Sequence, residues 1–133
     1  MPRHSEALFH RQVAIYLRVA VREPWFWTTF PAGGGGKTRG AQLKRMGLMA
    51  GMPDILIVGP NRLIGLELKT AVGRQSPDQK AVAARFERCG WPYLLARSLD
   101  DVEVLLMAAG IPLAAKARGG FCGVLDRTNV DRR

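Results

Sequence analysis

Apolar residues recur at helical spacing near the start of the chain and in short continuous or alternating runs through its middle. That change of period marks out seven elements. From Ser5 to about Arg22, Phe9, Val13, Tyr16, Leu17 and Ala20 form one stripe of an amphipathic helix. Glu6 lies on that stripe, three residues before Phe9, so a carboxylate stands at the edge of a face expected to be buried. Pro24 ends the helix, and the aromatic, Thr-rich stretch Trp25–Phe30 reads as a strand. Pro31–Ala50 is Gly-rich and basic and reads as a long loop with at most a helical turn near Leu43. Ile55–Val58 and Leu63–Lys69 read as two strands about the turn-forming Gly59-Pro60-Asn61-Arg62.

The second half is punctuated more sharply. Ser76-Pro77-Asp78-Gln79 carries an N-cap, a proline suited to the first helical position and a capping-box Gln, predicting a helix to about Cys89 with Gly90 as its stop. Trp91–Ala96 is a short apolar strand, and Ser98 caps a last helix through Met107, ended by Gly110. From Ile111 on, Pro112, Gly119, Gly120 and the basic Arg132-Arg133 end suggest an irregular tail. The predicted order is α-β-β-β-α-β-α, an α/β fold with a mixed sheet flanked by helices. At 133 residues this is one domain.

Charge changes the picture more than composition does. Twenty Lys and Arg against eleven Asp and Glu give a net charge of +9 and a pI near 10.6, which favours a polyanionic partner such as nucleic acid. Cys89 and Cys122 are too few and too far apart for a disulfide framework or a zinc site, and His4 and His10 lack metal-binding spacing. No apolar stretch approaches the ~18 residues of a membrane span. The Met-Pro-Arg-His-Ser-Glu start has no signal-peptide core behind it, so a cytoplasmic setting and reduced thiols are expected.

The candidate chemistry sits on the central hairpin. Asp54 and Glu67 are equidistant from the midpoint between Pro60 and Asn61, so a symmetric two- or four-residue turn sets them opposite each other. Opposed side chains have Cβ atoms about 4.5–5.5 Å apart, and like charges there repel. A divalent cation removes that penalty. Glu67 and Lys69 are two apart and share a sheet face, while Leu66 and Leu68 point into apolar packing. Carboxylate oxygens with no Cys or His nearby select a hard ion, Mg²⁺ or Mn²⁺. The composition is that of a metal-dependent phosphodiesterase site. Lys69 is placed to position an attacking water or to offset charge on a phosphorane-like transition state.

Gly51-x-Pro53-Asp54, twelve residues, then Glu67-x-Lys69 resembles the PD-(D/E)XK nuclease superfamily, whose αβββαβ restriction-endonuclease-like core has the predicted element order. Glu6 on the first helix, Gly51 before the Pro-Asp, and Gly73-Arg74-Gln75-Ser76-Pro77-Asp78-Gln79 after the lysine resemble its VRR-NUC branch, the virus-type replication–repair nucleases. The resemblance covers roughly residues 5 to 107 and implies a nuclease domain over 1–110, with 111–133 a basic tail of open role. It implies Asp54 and Glu67 as metal ligands with the carbonyl of Leu68, Lys69 as the catalytic lysine, Glu6 as the helix-borne acid completing the site, and Gln79 reaching in from the following helix. The capping box alone also accounts for Gln79. Stand-alone members resemble junction resolvases, which implies a homodimer acting on branched DNA in replication, repair or recombination, bacterial or phage-encoded.

Other features weigh less. Gly36-Lys37-Thr38 resembles the end of a phosphate loop, but the first glycine of that motif would fall on Pro31. The glycines instead let Lys37, Arg39, Lys44 and Arg45 approach a DNA phosphate chain. Trp25, Phe26 and Trp27 suit strand packing better than base stacking. A non-catalytic nucleic-acid-binding module with the same fold is the alternative function, separated from a nuclease by whether Lys69→Ala and Asp54→Ala lose cutting and keep binding.

Overall fold

The computed structural model describes residues 2–30, 36–118 and 121–124. Helix α1 (Pro2–Ala20) leads into strand β1 (Phe26–Thr29), helix α2 (Gly36–Arg45), the hairpin β2 (Ile55–Gly59) and β3 (Arg62–Leu68), helix α3 (Pro77–Arg88), strand β4 (Tyr93–Ala96), helix α4 (Leu99–Ala108) and strands β5 (Ala115–Arg118) and β6 (Phe121–Val124). The main sheet has the order β1-β2-β3-β4, antiparallel across the first three strands and parallel between β3 and β4. A parallel neighbour requires a crossover, and α3 supplies it.

The two faces of the sheet differ in what they bury. Ile55, Ile57, Ile64 and Leu66 point to one side and are fully buried, with Val13, Tyr16, Leu17 and Ala20 of α1 and Val102 and Leu106 of α4 in the same cluster. Each of the Val, Leu and Ile side chains removed from water contributes about 1.5–3 kcal/mol before entropy is subtracted. The predicted apolar stripe of α1 is therefore the face that meets the sheet, with Phe9 at its margin. On the other side lies α3, whose Val82 and Phe86 are buried. A Cβ on Gly65 would come within 2.9 Å of Pro53 and 3.0 Å of Phe86, so the missing side chain lets the Pro53 segment and α3 close over β3.

The caps are as predicted. The Gln79 amide donates to Ser76 Oγ (3.2 Å) and the Ser76 amide to Gln79 Oε1 (2.8 Å), while Gly90 at φ +81° ends α3. Ser98 Oγ accepts from the Asp101 amide at the start of α4. Trp25 is buried against β2 where Gly59 has no Cβ to obstruct it, whereas Phe26 stays exposed on the edge strand. Among the described residues, no helix is long and apolar enough to cross a membrane.

Two expectations are corrected. Gly36–Arg45 is not loop but the ten-residue α2; its Gly36 and Gly40 and its lack of an apolar stripe hide a helix whose residues are nearly all solvent-exposed. Residues 31–35 of the expected loop lie outside the described residues. The stretch after Gly110 is not irregular through 118 either. Ile111, Ala114 and Ala115 are buried, Tyr16 donates its hydroxyl to the Ala115 carbonyl (3.0 Å), the Ala114 amide donates to Ala20 O (2.9 Å), and β5 pairs antiparallel with β6. Its binding partners lie on α1, far away in sequence, so no local pattern announces it. Residues 125–133 of the expected tail lie outside the described residues.

Candidate active site

The β2–β3 register pairs Gly59 with Arg62 and, at the far end, Ile55 with Leu66. The next step outward sets Asp54 against Glu67, as the symmetry about Pro60-Asn61 requires; Asn61 takes the left-handed turn position at φ +56°. Asp54 is held twice. Its carbonyl accepts from the Phe30 amide (3.3 Å) and Thr29 Oγ1 (3.0 Å) on the β1 side. On the other side its Oδ2 accepts from the Leu68 amide at 2.8 Å. Leu68 thus has its amide on Asp54 and its side chain in the core.

Glu67 is 2 % exposed, the one buried charged side chain among the described residues. Each of its oxygens has a neutral donor: Gln79 Nε2 on Oε1 at 2.9 Å and the Tyr93 hydroxyl on Oε2 at 3.0 Å. Lys69 Nζ stands 3.9 Å from Oε1. Burial, reinforced by the charge and hydrogen bonding of Asp54, pushes the Glu67 carboxyl from its usual 4.5 up to about 8, against the smaller opposing pull of the Tyr93 hydrogen bond and Lys69. The Tyr93 hydroxyl is itself pushed well above the ordinary tyrosine range, first by burial and then by the Glu67 charge, so it remains a proton donor.

Gln79 therefore performs both roles considered for it. Its Oε1 completes the capping box and its Nε2 reaches the carboxylate. The helix start is brought close enough by Gly51, whose φ is +91° and whose absent Cβ would overlap the Asp78 carbonyl and lie 2.8 Å from the Gln79 amide. Any side chain at 51 would push the first turn of α3 away from Glu67. The segment after Lys69 is fastened from the other side by Arg97, whose Nη1 donates to the carbonyls of Thr70 and Gly73, each at 2.6 Å.

Asp54, Glu67, Lys69 and Gln79 are brought together. Glu6 is not: it is exposed on α1, which packs on the Leu66 and Leu68 side of the sheet, opposite the Glu67 carboxyl. One turn further along α1, His10 Nε2 is 3.2 Å from Thr29 Oγ1, the hydroxyl that donates to Asp54 O, so the helix start lies beside the Asp54 end of the sheet. Among the described residues, no group of three or more His, Cys, Asp or Glu forms a metal-holding cluster. Lys37, Arg39, Lys44 and Arg45 all lie exposed on α2. Tyr93 and Arg97 were missed. A tyrosine in a short apolar strand reads as core, and only the β3–β4 pairing of Gly65 with Tyr93 places it on the Glu67 face.

No protein-family model matches the chain, and no curated protein does. Among solved structures, one described as a VRR_NUC domain protein matches with a TM-score of 0.57 at 20% identity, over 74% of this chain and 84% of that one. The chain shares the fold of that protein, a mixed four-stranded sheet flanked by helices in the restriction-endonuclease-like arrangement.

Proposed function

We propose that this chain is a Mg²⁺- or Mn²⁺-dependent endonuclease that hydrolyses DNA phosphodiester bonds. The observation that carries the reading is the Asp54 and Glu67 pair beside Lys69, set on the fold of a VRR_NUC domain protein. The donor set suits such an ion. Two adjacent carboxylates, one of them buried, repel each other without a cation, and Mg²⁺ characteristically binds through one or two carboxylates, waters and substrate phosphate. Asp54, Glu67 and the Leu68 carbonyl would hold it, with waters and a substrate phosphate oxygen completing the shell. A bound ion supplies an acidified water and a polarised phosphoryl oxygen.

The chain's own groups do the rest. Lys69 holds the attacking water or meets the negative charge that builds on the phosphoryl oxygens. Gln79 fixes Glu67 from α3 while its other end caps the helix, so catalytic position and helix start are set by one side chain. The four cations of α2, on a chain of net charge +9, contact the phosphate backbone without reading sequence. We further propose a homodimer that selects branched or junction DNA in replication, repair or recombination, in a bacterial or phage-infected cytoplasm.

The test is cleavage of labelled duplex, flap, nicked and four-way-junction DNA in Mg²⁺ and in Mn²⁺, beside a mass measurement of oligomeric state. Wild type cuts at least one substrate, and Lys69→Ala lowers the rate about 10²–10³-fold while DNA binding persists in Ca²⁺. Binding without cutting by wild type on every substrate overturns the nuclease reading and leaves a binding module.

A further inference from the structure

We propose that Tyr93 is a positioning residue that aims the Glu67 carboxylate at its metal ion, an inference that rests on the metal-dependent reading above. Its placement is built from three elements. The parallel register sets Tyr93 beside Gly65, two residues from Glu67 on the same face of β3. Phe86 of α3 meets the Tyr93 ring edge-on, with centroids 5.4 Å apart and planes at 88°. The hydroxyl then lies 3.0 Å from Glu67 Oε2 and 3.2 Å from the carbonyl of Gly51, the residue against which α3 begins.

With Gln79 on Oε1 and Tyr93 on Oε2, the carboxylate plane is held by two donors from two different elements. A carboxylate so fixed loses little rotational freedom when it binds an ion, and such outer partners characteristically govern metal affinity. Tyr93 does not touch the reacting atoms; it acts through Glu67. The ring has a second duty, since it also lines a cleft of about 680 Å³ with Gln75, Lys80 and Trp91. Truncation to alanine would also remove the ring from that cleft and from Phe86, so Tyr93→Phe is the informative change. It keeps the ring and removes the hydroxyl.

Mn²⁺ is titrated into wild type and Tyr93→Phe by calorimetry at one pH, with urea unfolding of both in the absence of metal. The expected result is Mn²⁺ binding about 10-fold weaker in Tyr93→Phe, with cleavage partly restored by excess Mn²⁺. Should Tyr93→Phe also lose stability, Phe86→Leu loosens the same packing and keeps the hydroxyl. Unchanged Mn²⁺ affinity in that variant supports the inference, and an equal loss of affinity overturns it. Wild type that binds Mn²⁺ no more tightly than Tyr93→Phe overturns the inference alone. Wild type that binds no Mn²⁺ overturns the metal-dependent reading and this inference with it.

Discussion

Strand β3 presents opposite chemistries on its two sides within four residues. Leu66 and Leu68 face the core formed with α1 and α4, and Glu67 and Lys69 face the Asp54 end of β2 and the start of α3. Both sides are dry: Leu66 is fully buried and Glu67 is 2 % exposed. The difference lies in how each side satisfies its burial. Apolar side chains need only contact, whereas a buried carboxylate needs donors or a counter-charge, because desolvation without them costs several kcal/mol. The fold spends Gln79, Tyr93 and Lys69 on that single requirement. One side of the strand is thus held by apolar contact alone, and the other holds an acidic group that depends on donors from α3 and β4.

The sharpest way to break that comparison is to substitute neighbours. Leu66→Ala opens a cavity in the core and is expected to cost about 2–5 kcal/mol in urea unfolding. Glu67→Gln removes the like charge beside Asp54 and keeps a group of the same size. Its new amide can donate to Tyr93, whose hydroxyl then turns to the Gly51 carbonyl. At pH 5 its stability should stay within about 1 kcal/mol of wild type, while cleavage is lost. Equal destabilisation by the two changes would mean that the charged side is structural after all.

How far this division was legible depends on how local its causes are. The two sides of β3 follow from period-two spacing, and the facing of Asp54 and Glu67 follows from a two-residue turn centred between Pro60 and Asn61. The capping box predicted where α3 begins and by itself accounted for Gln79, whose place in the site was implied only by the family resemblance. Three things were hidden for want of a local signal. α2 has no apolar stripe and contains glycines. The β5 strand is held by Tyr16, 99 residues away. Tyr93 reaches Glu67 only through a parallel pairing whose register no turn sets. Glu6 shows the converse: its position on the α1 stripe was readable, but the stripe packs against the side of the sheet away from the Glu67 carboxyl.

A smaller effect is expected where the two sides meet the Pro53 segment. Gly51→Ala places a Cβ against the Asp78 carbonyl at a backbone φ of +91°. Strain and overlap together should cost about 1–3 kcal/mol, less than the Leu66 cavity. The damage is directional, however: the first turn of α3 moves and carries Gln79 off Glu67. Mn²⁺ affinity in calorimetry should therefore fall in Gly51→Ala although no ligand has been altered. Leu66→Ala, measured below its unfolding range, should retain more of it. The reverse ranking would show that the start of α3 does not set the carboxylate.

The last effect is a slope. The Glu67 carboxyl titrates near 4.5 in the unfolded chain and at about 8 in the native one, mainly because it is buried and next to Asp54. Between those values the native state holds a proton that the unfolded state has released, so stability falls as pH rises through that window and levels off above about 8. This sign is opposite to that of a carboxylate stabilised by a salt bridge, which gains stability with rising pH. The Tm of metal-free protein should therefore decline from pH 5 to pH 8 relative to Glu67→Gln, which lacks the titrating group and should give the flatter profile. An ion that needs the carboxylate must displace that proton, so Mn²⁺ should raise the wild-type Tm more at pH 8 than at pH 6. Parallel profiles for wild type and Glu67→Gln would show that the carboxyl is already ionised throughout, which requires a stronger cationic partner than Lys69 at 3.9 Å provides.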